Sequence, residues 1–502
     1  MSVPPQSLAR LLDGLATLPR DVEISDLTQD GRAAGPGCAF LAVHGTREHG
    51  LQYAPQAVAN GARAVLWEPA PVARIPDLPS DIVIAPVERL REHASTIAGR
   101  FFGAPSGAMA LAGITGTNGK TTCAYLLAQA LEHAGRPAAY MGTIGTGRPG
   151  ALVASALTTG DAVTVQRTLA GLRAAGAAHV AMEVSSHAID QWRVGAVRFR
   201  TAAFTNLTRD HLDYHGTMEH YGATKAKLFA REELESRVIN VDDAFGRQLA
   251  LDPRGRGRLV VTSRGHQSHA RAAAGFVRAM HIVLSRAGIE IEFDSSWGAG
   301  AFTCPLVGDF NVDNLLTVLG VLLDWGVPLE QATGALRAVR AAPGRMETFG
   351  GTPGLPLVIV DYAHTPDALR KALAAARAHR DRRLCVVFGC GGDRDPGKRP
   401  IMGAIAAELA DQIVLTDDNP RTESPRAIID GIASGIPAGV QFTIESDRAA
   451  AIRGAVLDAS PRDVVVIAGK GHEDYQIYGH ERRAFSDQAV VGAALVQRGG
   501  AA

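Results

Sequence analysis

The sequence predicts an α/β protein of three domains, and three observations lead to that prediction. The chain has 502 residues, whereas a single domain commonly holds roughly 150. Strand-like apolar runs alternate with Ala- and Leu-rich helical patterns along nearly the whole chain, which is typical of mostly parallel sheets covered by helices. The periodicity breaks at a Gly/Pro/Ser cluster near Gly103 and again near Pro343. The predicted domains therefore span residues 1–105, 106–342 and 343–502.

The composition excludes several classes of function. Lys plus Arg and Asp plus Glu both number 51, so the chain lacks the basic field that gathers nucleic acid or anionic lipid. No apolar stretch is long enough to span a bilayer, and residues 1–15 lack the features of a secretory signal. We therefore expect a cytoplasmic monomer with no nucleic-acid partner and no membrane insertion. The five scattered cysteines indicate reduced thiols rather than disulfides or a zinc site.

The clearest functional motif opens the second predicted domain. An apolar run at residues 109–114 leads into a Gly-rich turn and then an amphipathic helical pattern. The turn reads Thr115-Gly116-Thr117-Asn118-Gly119-Lys120-Thr121-Thr122. Its glycines let backbone N–H groups approach phosphate oxygens, Lys120 can reach the terminal phosphates, and Thr121 can ligate Mg²⁺. The strict pattern needs a glycine where Ile114 stands, and Gly113 lies one residue earlier. The turn therefore predicts nucleotide binding through a variant loop, with a chance Gly-rich turn as the alternative.

A carboxylate and a polar cluster could turn nucleotide binding into chemistry. Residues 177–182 read as a buried strand that delivers Glu183 to its carboxyl end, where parallel sheets bind ligands and a carboxylate can hold Mg²⁺. A solvent-exposed glutamate at the sheet edge is the alternative. A dense group of ionisable and aromatic residues follows over 205–225. Composition alone leaves a functional site and a solvated loop equally open there.

Beyond these motifs, the chain resembles the Mur ligase family over nine blocks in the same order. They span residues 113–122, 183–187, 205–225, 310–314, 343–347, 361–366, 389–399, 418–421 and 469–474. The resemblance implies an ATP-dependent ligase of peptidoglycan precursor synthesis. It also implies an N-terminal domain for a UDP-linked muropeptide, a central ATPase domain, and a C-terminal Rossmann-like domain for the incoming amino acid. The muropeptide carboxylate would attack the γ-phosphate of ATP to form an acyl phosphate. The amine of the incoming amino acid would then react with this acyl phosphate and release phosphate.

The resemblance also implies roles for individual residues, with ATP and Mg²⁺ as cofactors. The implied ATP-binding residues are Gly116, Thr117, Asn118, Gly119, Lys120, Thr121, Thr122, Asn311, Arg345 and Asp361. The implied catalytic residues are Lys120, Glu183, His211 and Lys225, and the implied metal-binding residues are Thr121, Glu183 and Lys225. The implied muropeptide-binding residues are Gly31, Thr158, Thr159, Ser185, Gln191 and Arg193. Lys225 would carry a carbamate formed with CO₂. Without the resemblance, an unmodified surface lysine is the preferred interpretation.

A four-residue motif bears on which amino acid is added. Within the family, Asp418-Asn419-Pro420-Arg421 matches members that add meso-diaminopimelate to UDP-N-acetylmuramoyl-L-alanyl-D-glutamate, whereas members that add L-lysine lack this arginine. A bidentate guanidinium suits the second carboxylate that distinguishes diaminopimelate from lysine. The implied pocket consists of Arg394, Asp418, Asn419, Pro420, Arg421, Gly469 and Glu473. A loop arginine that caps a helix or meets solvent is the alternative for Arg421.

Two departures affect the predicted muropeptide site, and three other functions compete. The first domain has Gly31 where the family commonly has serine, and Leu157 stands where related enzymes often carry asparagine. The competing functions are an L-lysine-adding ligase, a ligase like folylpolyglutamate synthase, and a catalytically silent ATP-binding homologue. Arg421 argues against the first, and the long N-terminal block argues against the second. The presence of all four implied catalytic residues argues against the third.

Overall fold

A computed structural model of the chain describes residues 4–45, 48–155, 157–265 and 273–499. The chain divides into two compact units. The first unit comprises Met1–Thr262 with Ser268–Gly275, and the second comprises Ser263–Gln267 with Phe276–Ala502. The three-domain boundaries after residues 105 and 342 stay predictions, since this two-way division does not test them. Among the described residues, no helix is both long and apolar enough to cross a bilayer.

The first unit begins with a two-stranded antiparallel sheet and a four-stranded parallel sheet, together with their helices. The elements are β1 (Gln6–Ser7), α1 (Leu8–Leu11), β2 (Glu23–Ile24), β3 (Asp26–Thr28), β4 (Cys38–Ala42), α2 (Ala54–Ala59), β5 (Ala64–Trp67), β6 (Val83–Pro86) and α3 (Leu90–Phe101). Strands β3, β4, β5 and β6 pair in that order, and every pair is parallel. Helix α3 buries Leu90, Ile97 and Phe101 against the same apolar core as strand residues Leu41 and Leu66.

A second, larger set of strands completes the first unit; it is mainly parallel, and β9 pairs antiparallel with β8 and β10. Its elements are β7 (Ala110–Thr115), α4 (Lys120–His133), β8 (Ala138–Gly142), β9 (Gly145–Arg148), β10 (Ala151–Val153), α5 (Ala162–Ala174), β11 (His179–Glu183), α6 (Ser186–Asp190), β12 (Thr201–Phe204), α7 (Leu212–His215), α8 (Met218–Ala226), β13 (Ser236–Asn240), α9 (Ala244–Leu251) and β14 (Arg258–Ser263). Strand β7 lies between β11 and β12 and is parallel to both. The carboxyl ends of these three strands therefore meet at one edge, where a doubly wound sheet binds its ligand.

The second unit opens with an antiparallel meander and two helices. These elements are β15 (Gly275–Ser285), β16 (Gly288–Ser295), β17 (Gly300–Cys304), α10 (Asn311–Asp324) and α11 (Leu329–Ala338). Strand β16 pairs antiparallel with both β15 and β17. The predicted alternation of strands and helices does not anticipate this meander. Its buried and exposed side chains alternate, which is the pattern of a sheet with one solvated face rather than of a fully buried parallel strand.

The rest of the second unit consists of a six-stranded sheet with helices on both faces and a separate antiparallel pair formed by the last two strands. Its elements are β18 (Glu347–Gly350), β19 (Leu357–Asp361), α12 (Pro366–Arg377), β20 (Leu384–Phe388), α13 (Lys398–Leu409), β21 (Gln412–Leu415), α14 (Pro425–Ala433), β22 (Thr443–Ile444), α15 (Arg448–Asp458), β23 (Val464–Ala468), β24 (Tyr475–Tyr478), β25 (Glu481–Ala484) and α16 (Asp487–Gly499). The strand order is β18-β19-β23-β20-β21-β22, with only the β18 pair antiparallel. Along β23, Val464 and Val466 pack on one core, whereas Val465 and Ile467 pack on the other. Burial on both faces explains the continuous apolar runs of these strands.

A fully buried ion pair joins two helices of this sheet. The guanidinium of Arg448 donates from Nε to Oδ1 of Asp487 at 2.8 Å and from Nη2 to Oδ2 at 2.7 Å. Both side chains have 0% relative exposure. Arg448 also donates to the carbonyl oxygens of Asp417 and Ala468, which follow β21 and end β23. The pair therefore supports the carboxyl ends of these two strands from behind.

We expect Arg448→Met to lower the free energy of unfolding of the second unit by about 3–5 kcal/mol, because Asp487 would then be a buried carboxylate without a partner. Urea unfolding monitored by circular dichroism measures this cost. The matched control is Arg426→Met, since Arg426 pairs with Asp430 at the exposed face of α14 and such a pair contributes at most about 1 kcal/mol. An equal effect of the two substitutions would contradict a stabilising role for the buried pair.

Candidate active site

The predicted nucleotide loop connects β7 to α4 and is only four residues long. Gly113 lies inside β7, where an added Cβ would come within 2.8 Å of the Phe199 ring, so it takes no part in the loop. Gly116 has a φ of +152°, and an added Cβ would collide with the hydroxyl of Thr205. Because only glycine combines this backbone angle with such a close approach, the loop is a specific short form of the phosphate-binding turn.

Asn206, which follows β12, braces this loop. Its backbone oxygen accepts from Thr117 N at 2.8 Å, and its side-chain oxygen accepts from Asn118 N at 2.9 Å. The ammonium of Lys120 lies over the loop and donates to the carbonyl oxygens of Gly116 and Thr117, both at 2.9 Å. The loop is thus held in shape, with one cation above it and the positive end of α4 behind it.

Glu183 ends strand β11 beside this loop. It is 1% exposed, which rules out the alternative of a solvated edge residue. One carboxylate oxygen accepts from the Thr121 hydroxyl at 2.9 Å. The other accepts from Thr143 N at 2.8 Å and from the Tyr140 hydroxyl. The paired oxygens of Thr121 and Glu183 are hard ligands of the kind that Mg²⁺ uses beside phosphate and water oxygens.

This donor set differs from that of a transition-metal site. Among the described residues, no group of three or more His, Cys, Asp or Glu side chains is arranged to hold a metal ion. One carboxylate and one hydroxyl next to a phosphate cradle instead fit a cation that keeps most of its water and phosphate ligands. The residues present therefore fit Mg²⁺ delivered with a nucleotide.

Lys225, on helix α8, lies at the same edge and is 1% exposed. Its Nζ donates to the carbonyl oxygen of Gly116 at 2.9 Å and lies 4.4 Å from the centroid of the Tyr221 ring. Burial, reinforced by the charge of Lys120, lowers the pKa of the Lys225 amine to about 6. Above that pH the side chain is mainly a neutral amine. It is therefore not the surface cation that its sequence alone suggested.

Histidines and tyrosines surround Lys225. The ring of His211 lies 5.0 Å from His187 and 6.1 Å from Tyr221, between centroids. His215 is buried, with Nε2 placed 2.9 Å from the Ser186 hydroxyl, and burial lowers its pKa to about 4. Because His215, Tyr221 and Lys225 are all buried, the solvated-loop alternative for residues 205–225 fails for these three. The sequence analysis did not single out His187 or His215.

Most of the predicted muropeptide residues form a hydrogen-bonded strip beside Glu183. The Thr159 hydroxyl donates to the carbonyl oxygen of Glu183 at 2.9 Å and accepts from Ser185 N at 3.3 Å. Arg193 donates to the carbonyl oxygen of Thr159 at 2.9 Å and to the side-chain oxygen of Gln191 at 2.6 Å. Thr158 extends the strip, since its hydroxyl lies 3.0 Å from that of Thr143. The strip thus runs from the carboxyl end of β11 toward a cavity.

That cavity has a volume of about 360 Å³. Its lining includes the predicted residues Gln191 and Arg193, and also Leu157, Gln29, Val43, His44, Gly45, Arg91, Asp161 and Ala162. Gly31 packs elsewhere, since a Cβ added there would come within 2.9 Å of the Tyr53 backbone oxygen. The sequence analysis missed Gln29, His44 and Arg91, because single polar residues on separate loops form no motif along the chain.

Three of the predicted ATP-binding residues lie in the second unit. At the turn before β18, Met346 N donates to the carboxylate of Asp361 at 2.8 Å, and the Arg345 guanidinium lies 5.2 Å from the Tyr362 ring centroid. Burial raises the pKa of Asp361, opposed by that hydrogen bond and by Arg345. Asn311 begins α10 and donates to the Val307 carbonyl oxygen at 2.7 Å. The other seven ATP-binding candidates belong to the first unit.

The predicted amino-acid pocket is a cavity of about 740 Å³ in the second unit. Its lining includes Arg394, Asp418, Asn419, Arg421, Gly469 and Glu473, together with Tyr362, His364 and Tyr475. The seventh predicted residue, Pro420, is buried between Asn419 and Arg421. One N–H of Arg421 donates to the Gly392 carbonyl oxygen at 2.7 Å, which orients a guanidinium that carries five donors. The cavity therefore presents cationic and anionic groups together, and Arg421 faces it rather than a helix end.

Comparison with known proteins identifies the family. Three regions match descriptions of Mur ligase domains: residues 23–102 match "Mur ligase family, catalytic domain", residues 114–322 match "Mur ligase middle domain", and residues 344–471 match "Mur ligase, glutamate ligase domain". A protein of Xanthomonas campestris pv. campestris is 49% identical over 496 residues, covering 98% of each chain. A Pseudomonas aeruginosa protein is 48% identical over 468 residues, covering 93% of this chain and 94% of the other. Both are named UDP-N-acetylmuramoyl-L-alanyl-D-glutamate--2,6-diaminopimelate ligase.

Solved structures support the same family assignment. A structure with that same enzyme name is 33% identical, has a TM-score of 0.71 and covers 99% of each chain. A complex of Escherichia coli FolC with ADP, at 18% identity and a TM-score of 0.56, shares the fold alone. The fold and the site define an ATP-dependent ligase, and the chain belongs to the Mur ligase family. The predicted family, the three-domain α/β fold and the ligase class are confirmed.

Proposed function

We propose that this chain joins meso-2,6-diaminopimelate to the D-glutamate side-chain carboxylate of UDP-N-acetylmuramoyl-L-alanyl-D-glutamate, converting ATP to ADP and phosphate, in peptidoglycan precursor synthesis. The observation that carries the proposal is the 740 Å³ cavity. It brings Arg394 and Arg421 together with Asp418 and Glu473, charges that suit the ammonium and the carboxylate of an amino-acid end. The names of the relatives support the same substrates. We also propose that the protein acts in the cytoplasm as a monomer.

In the first step, an oxygen of the D-glutamate carboxylate would attack the γ-phosphorus of ATP. The bond from that phosphorus to the ADP oxygen breaks, which gives an acyl phosphate and ADP. Two anions must approach each other, so the protein's task is to neutralise and align them. The loop braced by Asn206 would hold the phosphates, and Lys120 would turn its ammonium from the loop carbonyls to the phosphate oxygens. Thr121 and Glu183 would hold Mg²⁺, which would supply further positive charge.

In the second step, a neutral amine nitrogen of diaminopimelate would attack the acyl carbon, the carbon–oxygen bond to phosphate would break, phosphate would leave, and the nitrogen would lose one proton. The two ends of meso-diaminopimelate carry the same groups on carbons of opposite configuration, so the protein must hold one end and leave the other to react. Arg421 with Arg394 would hold the distal carboxylate, and Glu473 would hold the distal ammonium. Lysine, which has no distal carboxylate, would leave the guanidinium of Arg421 without its partner.

Lys225 would supply a further negative group. Its neutral amine can add to CO₂ to give a carbamate and one proton, because only an unprotonated amine has the lone pair for this bond. A carbamate at this position is an anion beside the phosphate loop, and it would replace a buried amine by a group able to orient Mg²⁺. The lowered pKa of about 6 supports this modification.

Mass spectrometry of the nucleotide product tests the proposal. The protein is incubated with ATP, Mg²⁺, the UDP-linked dipeptide and meso-diaminopimelate, and ADP is measured in parallel. We expect one diaminopimelate residue to be added for each ADP formed. ADP formation without any addition to the dipeptide would overturn the ligase proposal, and addition of a different amino acid in preference would overturn the proposed substrate.

A further inference from the structure

A buried lysine lies directly behind the amino-acid cavity. Lys470 follows strand β23 and has 0% exposure. Its Nζ lies 3.0 Å from Oδ1 of Asn419, 3.3 Å from Oε2 of Glu473 and 3.5 Å from Oδ1 of Asp418. The ammonium donates hydrogen bonds to Asn419 and Glu473 and forms an ion pair with Asp418. All three of these residues line the cavity, and Lys470 contacts each of them from the protein side.

These contacts determine how Asn419 is oriented. Its side-chain oxygen accepts from the Lys470 ammonium and from Ile477 N, both at 3.0 Å. If the amide were turned over, its NH₂ group would face two donors, which is unfavourable. The NH₂ group therefore points to Glu473 and donates to Oε2 at 3.0 Å. Lys470 thus fixes Glu473 twice, once directly and once through Asn419.

The charges show why a cation is needed at this position. Asp418 and Glu473 are two carboxylates around one small volume, and like charges held close together repel each other. Lys470 lies between them and offsets that repulsion. Other charged groups nearby are Arg448, whose guanidinium lies behind Gly469, and Arg394, Asp395, Lys398 and Arg421 on the cavity wall. With one Glu473 oxygen held by Lys470 and Asn419, the carboxylate keeps acceptor capacity for a ligand ammonium.

The local sequence is built for this contact. Gly469 has a φ of +121°, and an added Cβ would come within 2.5 Å of the Asp418 carboxylate. A larger residue would separate the β23 loop from Asp418 and withdraw the lysine that follows. Lys470 was not among the predicted site residues, because a lysine between two glycines has no recognisable pattern until the strand ends are assembled.

We propose that Lys470 is a positioning residue for the incoming amino acid: it orients Glu473 and offsets the neighbouring charge of Asp418, so that Glu473 binds the distal ammonium of the substrate. This inference rests on the proposed function, since it concerns the same cavity. Lys470 itself is not expected to touch substrate. Its loss should weaken binding of the amino acid and leave ATP binding unchanged.

A double-mutant cycle tests the proposal with Lys470→Met, Glu473→Gln and the two combined. We expect Lys470→Met to raise the KM for diaminopimelate about tenfold or more, and to change the KM for ATP by less than about twofold. The kcat at saturating diaminopimelate should change by less than about twofold, because Lys470 acts on substrate binding through Glu473. In the double variant, loss of Lys470 should add little to the effect of Glu473→Gln.

Additive losses around the cycle, a fall in kcat as large as the rise in the KM for diaminopimelate, or an equal rise in the KM for ATP would overturn the proposal. Lys371→Met is the matched control, since Lys371 pairs with Asp367 on the exposed side of α12 and its loss should change none of these values. If Lys470→Met does not fold, the same cycle is run with Lys470→Gln, alone and combined with Glu473→Gln, and the same outcomes decide the question. If the wild-type protein instead uses L-lysine, the proposed substrate fails, and the same cycle run with L-lysine still tests Lys470.

Discussion

Lys225→Ala is expected to lower kcat by about 1,000-fold, the scale on which removal of a preorganised charged group acts. Lys225 is buried beside the phosphate loop, where its amine donates a hydrogen bond to the Gly116 carbonyl oxygen. The proposed carbamate would place an anion there, and alanine can provide neither the amine nor the carbamate. Phosphate release from ATP in the presence of both other substrates measures the effect. The matched control is Lys227→Ala, because Lys227 is exposed and pairs with Asp190, and it should retain full turnover.

The same account predicts a dependence on pH and CO₂. The pKa of the Lys225 amine is lowered to about 6, so the neutral amine predominates above that pH and the ammonium predominates below it. Because carbamate formation consumes the neutral amine and releases a proton, wild-type activity should fall as the pH drops through about 6. In CO₂-depleted buffer the wild-type protein should be slow, and bicarbonate should restore it. Acetate should partly restore Lys225→Ala. Full turnover of Lys225→Ala without any added carboxylate would contradict the role of the carbamate.

Arg421→Ala is expected to lower kcat/KM for meso-diaminopimelate about 100-fold, because a charge-assisted bidentate contact to the distal carboxylate would be lost. Arg421 lines the cavity and is oriented by the Gly392 carbonyl oxygen. The KM for ATP should change little. Arg421→Lys should lie between wild type and Arg421→Ala, since an ammonium keeps the charge but not the two-donor geometry.

The selectivity of the Arg421 variants distinguishes substrate binding from loop support better than the loss of activity alone. Loss of the guanidinium should reduce the preference for diaminopimelate over L-lysine, since L-lysine has no distal carboxylate for Arg421 to bind. Arg426→Ala, on the exposed face of α14, is the control for removing a nearby arginine. An equal loss of activity toward diaminopimelate and L-lysine would mean that Arg421 supports the loop and does not bind the distal carboxylate of diaminopimelate.

The parts of the site that the sequence predicted are those encoded in short contiguous stretches. The loop from Gly116 to Thr122 and the strand that ends at Glu183 follow from local patterns, since a strand, a tight turn and a helix each have their own periodicity. Gly113, one residue before the position where the strict motif needs a glycine, lies in strand β7 under Phe199, within the apolar run that predicted this strand. Neighbouring strand contacts, rather than motif spacing, decide where the loop begins.

The parts that the sequence did not predict depend on residues brought together from distant positions. Asn206 braces a loop that lies 88 positions earlier in the chain, and its own neighbours gave no sign of that contact. The sequence analysis did not select Lys470 for a similar reason: the three residues that its ammonium contacts come from two separate strand ends. Gln29 and His44 lie on different loops of the first unit, and the cavity alone relates them to Arg193.

The buried state of Lys225 illustrates the same limit. Its segment holds many charged groups, and in such a segment composition alone does not distinguish a solvated loop from a functional site. The packing of Tyr221 and the phosphate loop against the amine decides between them. By contrast, resemblance to the family pointed to Lys225 directly, since a motif shared over nine blocks carries information about packing that single-sequence patterns lack.

Phosphate release by the purified protein, given ATP, Mg²⁺ and the UDP-linked dipeptide, tests the central proposal most directly when meso-diaminopimelate, L-lysine and no amino acid are compared. We expect turnover with meso-diaminopimelate, little with L-lysine and none without an amino acid. Turnover that favours L-lysine, or that needs no amino acid, would contradict the assignment of the cavity that Arg421 and Glu473 line.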